Sequence, residues 1–119
     1  MENTIAEDRG KKIVSSEIIR RGLLLGVSSN LFGKTAIITD RELIIGRDSS
    51  SGFSIPDIQV SNRHCRIFVK NGIFMIEDLE STNGTYLNRK RIKHEEILNY
   101  GVRIVIGDTI LRFFYEEEL

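Results

Sequence analysis

The chain has 119 residues, 40% hydrophobic and 29% charged, with 17 basic residues balanced by 17 acidic ones. That composition suits one soluble globular domain with a single core, and zero net charge supplies no global field to attract nucleic acid or an acidic membrane surface. Its one cysteine, Cys65, rules out an intrachain disulfide framework and suits a reducing, cytoplasmic setting, while no apolar run approaches the roughly 18 to 20 residues of a membrane span.

Residues 1–21 form a polar leader, with Thr4 as its only threonine and no regular period beyond the Ile13-Val14 and Ile18-Ile19 pairs. It reads as a flexible tail, with a short amphipathic helix near Ile13 to Arg21 as the alternative. From Gly22 the character changes to short β-branched and aromatic runs: Leu23 to Val27, Ala36 to Thr39, Leu43 to Ile45 and Cys65 to Val69. Turn residues bound each of them, the pattern of a β-sandwich or barrel. Asn71-Gly72, a pair favoured in type I′ turns, predicts a hairpin between His64–Lys70 and Ile73–Asp78. Alternation assigns Cys65, Ile67 and Val69 to the core face and His64, Arg66, Phe68 and Lys70 to the other. Leu111, Phe113 and Tyr115 repeat the pattern in the last strand. The expected domain spans residues 22–116, with 117–119 as the start of a connector or a C-terminal end.

Three polar clusters each lie at the end of a strand-like run: Gly46-Arg47, Ser61-Asn62-Arg63-His64 and Ser81-Thr82-Asn83-Gly84-Thr85. Arginine offers a planar fork of donors suited to phosphate, and serine, threonine and asparagine add short neutral donors. No general base stands among them, so the set suits binding an anion rather than transforming it, and no catalytic residue, metal or cofactor is expected. Taken singly, Arg47 is a solvated surface arginine, Ser61-Asn62 a polar turn, and His64 a half-buried strand residue. Gly33-Lys34-Thr35 imitates the end of a phosphate-binding P-loop, but Ser28 stands where the first glycine belongs and β-branched residues follow where a helix should start. Cys65 reads as core packing, and Arg89-Lys90-Arg91-Ile92-Lys93 as a solvated basic hairpin without the interleaved aromatics of a nucleic-acid surface.

Together the clusters resemble the forkhead-associated (FHA) domain, a reader of phosphothreonine peptides, over about Gly22 to Tyr115. The resemblance implies an all-β sandwich of two antiparallel sheets, about eleven strands, with recognition loops at one end. It implies that Arg47, Ser61 and Thr82 contact phosphate, that Asn62 and Arg63 line the same loop, and that Asn83 bonds the peptide backbone. Gly46, His64 and Gly84 would support the site. Two positions depart from the family pattern: Val102 stands where many relatives have an acidic residue, and the Asp48–Ser54 loop lacks the acidic residue often seen before the next strand.

The expected partners are a phosphothreonine-containing protein or peptide and the Ser/Thr kinase that makes it, with neither nucleic acid nor membrane. The leader itself, phosphorylated at Thr4, is a candidate ligand. An alternative is the N-terminal sensory domain of a larger bacterial signalling enzyme such as a GGDEF diguanylate cyclase.

Overall fold

A computed structural model describes residues 20–117. Among these, eleven strands form two sheets: β1 (Gly22–Gly26), β2 (Thr35–Ile38), β3 (Leu43–Gly46), β4 (Phe53–Ser54), β5 (Cys65–Lys70), β6 (Ile73–Asp78), β7 (Thr85–Leu87), β8 (Lys90–Arg91), β9 (Glu96–Ile97), β10 (Arg103–Ile106) and β11 (Thr109–Tyr115). One sheet has the order β9-β6-β5-β3-β4 and the other β2-β1-β11-β10-β7-β8. Every pair is antiparallel except β3–β4, where Ile45 lies beside Phe53 and Gly46 beside Ser54 in parallel. The small-polar loop after Arg47 makes this short pairing practicable, because a turn closed by Ser51 N–H on the Asp48 carbonyl brings the chain back alongside β3.

Period-two alternation builds the core. Leu24, Ile104, Ile106, Leu111 and Phe113 from one sheet meet Ile45, Phe53, Cys65, Ile67, Phe74 and Ile76 from the other, all buried. Phe74 and Phe113 meet edge to face across the sandwich, 5.1 Å between centroids. Truncating a buried aromatic of this kind costs about 3 to 5 kcal/mol. Cys65 belongs to this core, and burial pushes its thiol pKa up, which leaves it inert as a nucleophile.

The predicted hairpin forms with Lys70 opposite Ile73, and Asn71 (φ 54°) and Gly72 (φ 77°) supply the two left-handed residues of a type I′ turn. This hairpin gives the sandwich a direction. Its tip lies at one end, where Arg20 donates to the Gly72 carbonyl and Arg21 is bound to Glu116 through both backbone and side chain. Its open end, with Cys65 opposite Asp78, lies at the other, beside the loops carrying the three polar clusters. The leader from residue 1 to 19, including Thr4 and all but the last two residues of the alternative helix, falls outside the described residues, as do 118 and 119.

The Gly33-Lys34-Thr35 turn leads into β2 rather than a helix. Lys34 donates to the Ser54 carbonyl at 2.6 Å and lies over the Phe53 ring. No helix among the described residues is long and apolar enough to cross a membrane.

Candidate functional site

Three loops converge at the open end. The first follows β3, and the second, residues 55–64, lies directly against it: Arg47 N–H donates to the Ser61 carbonyl at 2.9 Å and Asp48 N–H to the Asn62 carbonyl at 3.2 Å. Gly46 permits this approach, since a Cβ there would sit 2.0 Å from the Asn62 carbonyl oxygen. Arg47 is exposed, but its Nε donates to the Val60 carbonyl at 2.9 Å. One edge of the guanidinium is thereby fixed to the second loop while the terminal nitrogens remain for a ligand.

The third loop, residues 79–84, is joined to the second at three points. Thr82 N–H donates to Ser61 Oγ at 3.1 Å, Asn83 Nδ2 donates to the Gln59 carbonyl at 2.9 Å, and the His64 ring spans both loops. Ser61 N–H donates to His64 Nδ1 at 3.0 Å, so Nδ1 is bare; Nε2 then carries the proton and donates to the Gly84 carbonyl at 2.8 Å. Burial lowers the pKa of His64, outweighing the opposing pull of the Gly84 carbonyl, Asp78 and Asp57. A neutral ring is what this geometry needs, because a protonated Nδ1 would face the Ser61 N–H donor to donor.

His64 is thus fully buried, neither half-buried nor on the outer face that strict alternation assigned it. It precedes the first residue of β5, so the alternation of that strand does not govern it. The other placements are direct. Arg47, Ser61, Thr82 and Asn83 come together around one mouth, and Gly84, at φ +90°, turns the third loop back into β7. Asn62 and Arg63 are exposed on the second loop, where the Asn62 carbonyl also accepts Ser51 Oγ at 3.2 Å. Val102, the departure noted in the sequence, is buried in a tight turn at the far end, where its N–H donates to the Asn99 carbonyl.

Sequence reasoning missed two aspartates that brace the loops. Asp78 accepts Ser81 N–H at 2.9 Å, Ser81 Oγ at 2.6 Å and Thr85 Oγ1 at 2.7 Å, while Ser81 Oγ accepts Gly84 N–H. Asp57 accepts Gln59 N–H, Asp108 N–H and the Thr109 hydroxyl. For each carboxylate, burial alone would raise the pKa, but the combined hydrogen bonds outweigh it and hold the pKa below the ordinary range. The signal was an aspartate two or three residues before a small polar or amide residue at a turn.

Chemically, the mouth offers the Arg47 fork, hydroxyls and amide groups. Both nitrogens of the one histidine nearby are occupied, so the arrangement can hold an anion and the backbone of an extended chain. No group of three or more His, Cys, Asp or Glu side chains among the described residues is placed to hold a metal.

A family model for the FHA domain matches residues 43–107, more than half of the chain. FHA domain-containing protein FhaB from Mycobacterium tuberculosis is 32% identical over 81 residues, 68% of this chain and 52% of FhaB. The chain therefore spans about half the length of the curated relatives it matches. An FHA structure solved in a study of phosphothreonine-dependent FHA interactions is 29% identical, with a TM-score of 0.74 over 83% of this chain and 99% of its own. The FHA domain of FhaA, solved in complex with the intracellular domain of Rv3910, is 30% identical with a TM-score of 0.70, over 77% and 98% of the two chains.

Proposed function

Given that the chain belongs to the FHA family, we propose that it is a phosphothreonine-dependent binding module that docks a phosphorylated partner protein onto the three loops at the open end of the sandwich. The observation that carries this reading is the mutual fixing of the loops: Arg47 tied to Val60, Thr82 to Ser61 and Asn83 to Gln59. The donors for a phosphate are held before the ligand arrives, which limits the ordering cost of binding. A phosphate ester carries about −1.5 to −2 charges at neutral pH, and the Arg47 fork, the Ser61 hydroxyl and the Thr82 side chain would satisfy its oxygens.

Asn83 would bond the peptide backbone, with its carbonyl oxygen as acceptor and its amide exchanging the Gln59 carbonyl for a peptide one. Asn62 and Arg63 line the approach. Gly46, His64 and Gly84 hold the geometry without touching the ligand. Binding rather than catalysis is the role, with a Ser/Thr kinase supplying the ligand in the cytoplasm, and the diguanylate-cyclase alternative is not favoured beside relatives that are FHA-domain regulators.

The test is calorimetric titration with one peptide in threonine, phosphothreonine and phosphoserine forms. Saturable binding of the phosphothreonine form alone is expected. Equal binding of the unphosphorylated peptide would overturn the reading.

A further inference from the structure

Alternation along the six-stranded sheet gives it an outward face unlike a solvated one. Where one face of an antiparallel sheet packs on the core, the outward positions are ordinarily polar. Here β1 turns out Leu23 and Leu25, β11 turns out Ile110, Arg112 and Phe114, and β10 turns out Arg103 and Val105, so five of these seven residues are apolar. Cross-strand register joins them into rows. Ile37, Leu23 and Phe114 stand side by side near the hairpin-tip end, with Tyr100 edge to face against Phe114 at 5.3 Å between centroids. Ile110, Val105 and Tyr86 form a second row nearer the loops. Ile37 and Tyr100 remain 61% and 53% exposed. Between the two rows, Arg103 and Arg112 lie directly opposite each other. We infer that this face is a second docking surface, taking a protein segment in which carboxylates are interspersed with apolar side chains. It lies on the body of the sandwich rather than on the three loops, and its occupation does not depend on the phosphothreonine reading.

Charge favours an acidic occupant. No strand of this sheet contains aspartate or glutamate. The carboxylates that border it lie off the face: Asp108 in the turn between β10 and β11, Glu116 in its pair with Arg21, and Asp40 and Glu117 each two residues past a strand end. Arg91 also points outward, but it lies beside Glu77, Asp78 and Glu80 and adds no surplus. Arg103 and Arg112 form no ion pair among the described residues, and Arg112 donates to the Gly101 carbonyl at 2.7 Å. On the outward face of the other sheet the cations are paired, Arg66 with Glu42 and Glu77 and Lys70 with Glu95. Like charges directly opposite across two strands oppose folding, so the Arg103–Arg112 pair weakens the sheet that carries it. A carboxylate bound between the two guanidiniums removes that cost.

Other occupants fit less well. A second copy of the same face would set arginines against arginines. A bilayer that took up the apolar rows would also take up the cations between them, whereas membrane-binding surfaces keep basic residues on the polar side. A nucleic-acid backbone would leave both apolar rows uncovered. A protein segment can cover the rows and place carboxylates at the arginines, and contiguous exposed apolar residues mark such contacts.

The experiment follows amide resonances of the isotopically labelled full chain during titration with three unphosphorylated peptides of equal length, one mixing leucine with glutamate, one leucine with lysine and one serine with glutamate. Saturable shifts at Leu25, Val105 and Arg112 are expected with the leucine–glutamate peptide alone, and Arg47→Ala should leave them unchanged. Arg103→Glu sets a carboxylate opposite Arg112. It should weaken that binding at least about ten-fold and, by replacing a like-charge pair with an ion pair, hold or raise the melting temperature. A purely structural arginine pair would instead lose stability on the same change. Absence of saturable shifts with every peptide up to millimolar concentration overturns the proposal, as does an equal response to the lysine peptide. Loss of the shifts in Arg47→Ala would place the acidic peptide in the phosphate mouth and overturn it too. Stronger shifts of the same amides by phosphatidylserine vesicles would assign the face to a membrane instead. Self-association of the unphosphorylated chain, read by light scattering and removed by Arg103→Glu, would assign it to a second copy. Failure of phosphothreonine peptides to bind would overturn the reading of the mouth and leave this surface standing.

Discussion

Ser61 and Thr82, 21 residues apart, are joined by a hydrogen bond from the Thr82 backbone N–H to Ser61 Oγ at 3.1 Å. The bond takes one acceptor position of the hydroxyl and leaves its proton to donate into the mouth. Ser61→Ala should therefore remove a phosphate donor and orphan the Thr82 N–H together. Hydrogen bonds to charged groups are worth about 1.5 to 3 kcal/mol, so phosphopeptide affinity should fall roughly ten- to hundred-fold. Titration calorimetry checks the magnitude. An unchanged affinity would remove Ser61 from the site.

Arg47→Ala should abolish measurable phosphopeptide binding, because removing one partner of a desolvated charge pair costs about 2 to 5 kcal/mol. The fold should survive, but not untouched: the bond from Arg47 Nε to Val60 predicts a loss of about 1 kcal/mol in stability. Arg47→Lys should recover little affinity, since a point charge cannot reproduce a fork anchored at Nε while its terminal nitrogens bind. Paired titrations and melts separate the two effects.

Asn83→Ala should weaken phosphopeptide binding by about 1 to 3 kcal/mol while leaving free phosphothreonine bound. Its amide braces the Gln59 carbonyl in the free protein, so a small stability loss should accompany the change. If free phosphothreonine lost affinity equally, Asn83 would belong to the phosphate and not to the peptide backbone.

Acid should weaken the fold in two stages. Unfolded, His64 titrates near its ordinary 6.5, and burial holds it lower in the fold, so below 6.5 the unfolded chain binds the extra proton and stability declines with falling pH. The decline levels off below the folded pKa. Asp57 and Asp78, both depressed from an ordinary 3.8, contribute stability above that value and lose it as pH falls through their folded values. Urea unfolding between pH 7.5 and 3 reads both stages. His64→Ala should cost about 2 to 4 kcal/mol at pH 7.5, from the cavity and the two orphaned backbone groups, and should flatten the first stage. A wild-type stability that stays level from pH 7.5 to 5 would contradict the neutral ring.

The strands were legible because alternation and turn residues are local: Asn71-Gly72 alone located a hairpin whose register the structure reproduces. The β3–β4 pair was not legible, since parallel pairing through a short loop has no sequence period. His64 exposes the limit of alternation, which misassigns a residue one place outside its strand. The polar clusters could be named from the sequence, but their bracing could not. Asp57 and Asp78 offer only a weak turn signal in the sequence, and their bonds to Asp108 N–H, Thr85 and Thr109 join residues whose proximity only the fold creates.

Thr4, phosphorylated, should serve as a ligand between molecules rather than within one. The described chain enters at the hairpin-tip end, with Arg20 over the Tyr115 ring and bonded to Gly72, opposite the binding loops. Sixteen residues from Thr4 to Arg20 reach about 50 Å at full stretch, so a phosphorylated Thr4 would have to run along the whole sandwich to enter the mouth of its own domain. Exchange between two molecules meets no such constraint, and the ligand should act in trans. A peptide of residues 1–10 phosphorylated at Thr4 is expected to bind a chain beginning at Arg20, and Arg47→Ala should abolish that binding. The phosphorylated full-length chain should then associate with rising concentration, read by light scattering. If it instead stayed monomeric and refused added phosphopeptide, the leader would be occupying its own site. Failure of the Thr4 phosphopeptide to bind at millimolar concentration would remove the leader as a ligand and leave the partner to be found outside this chain.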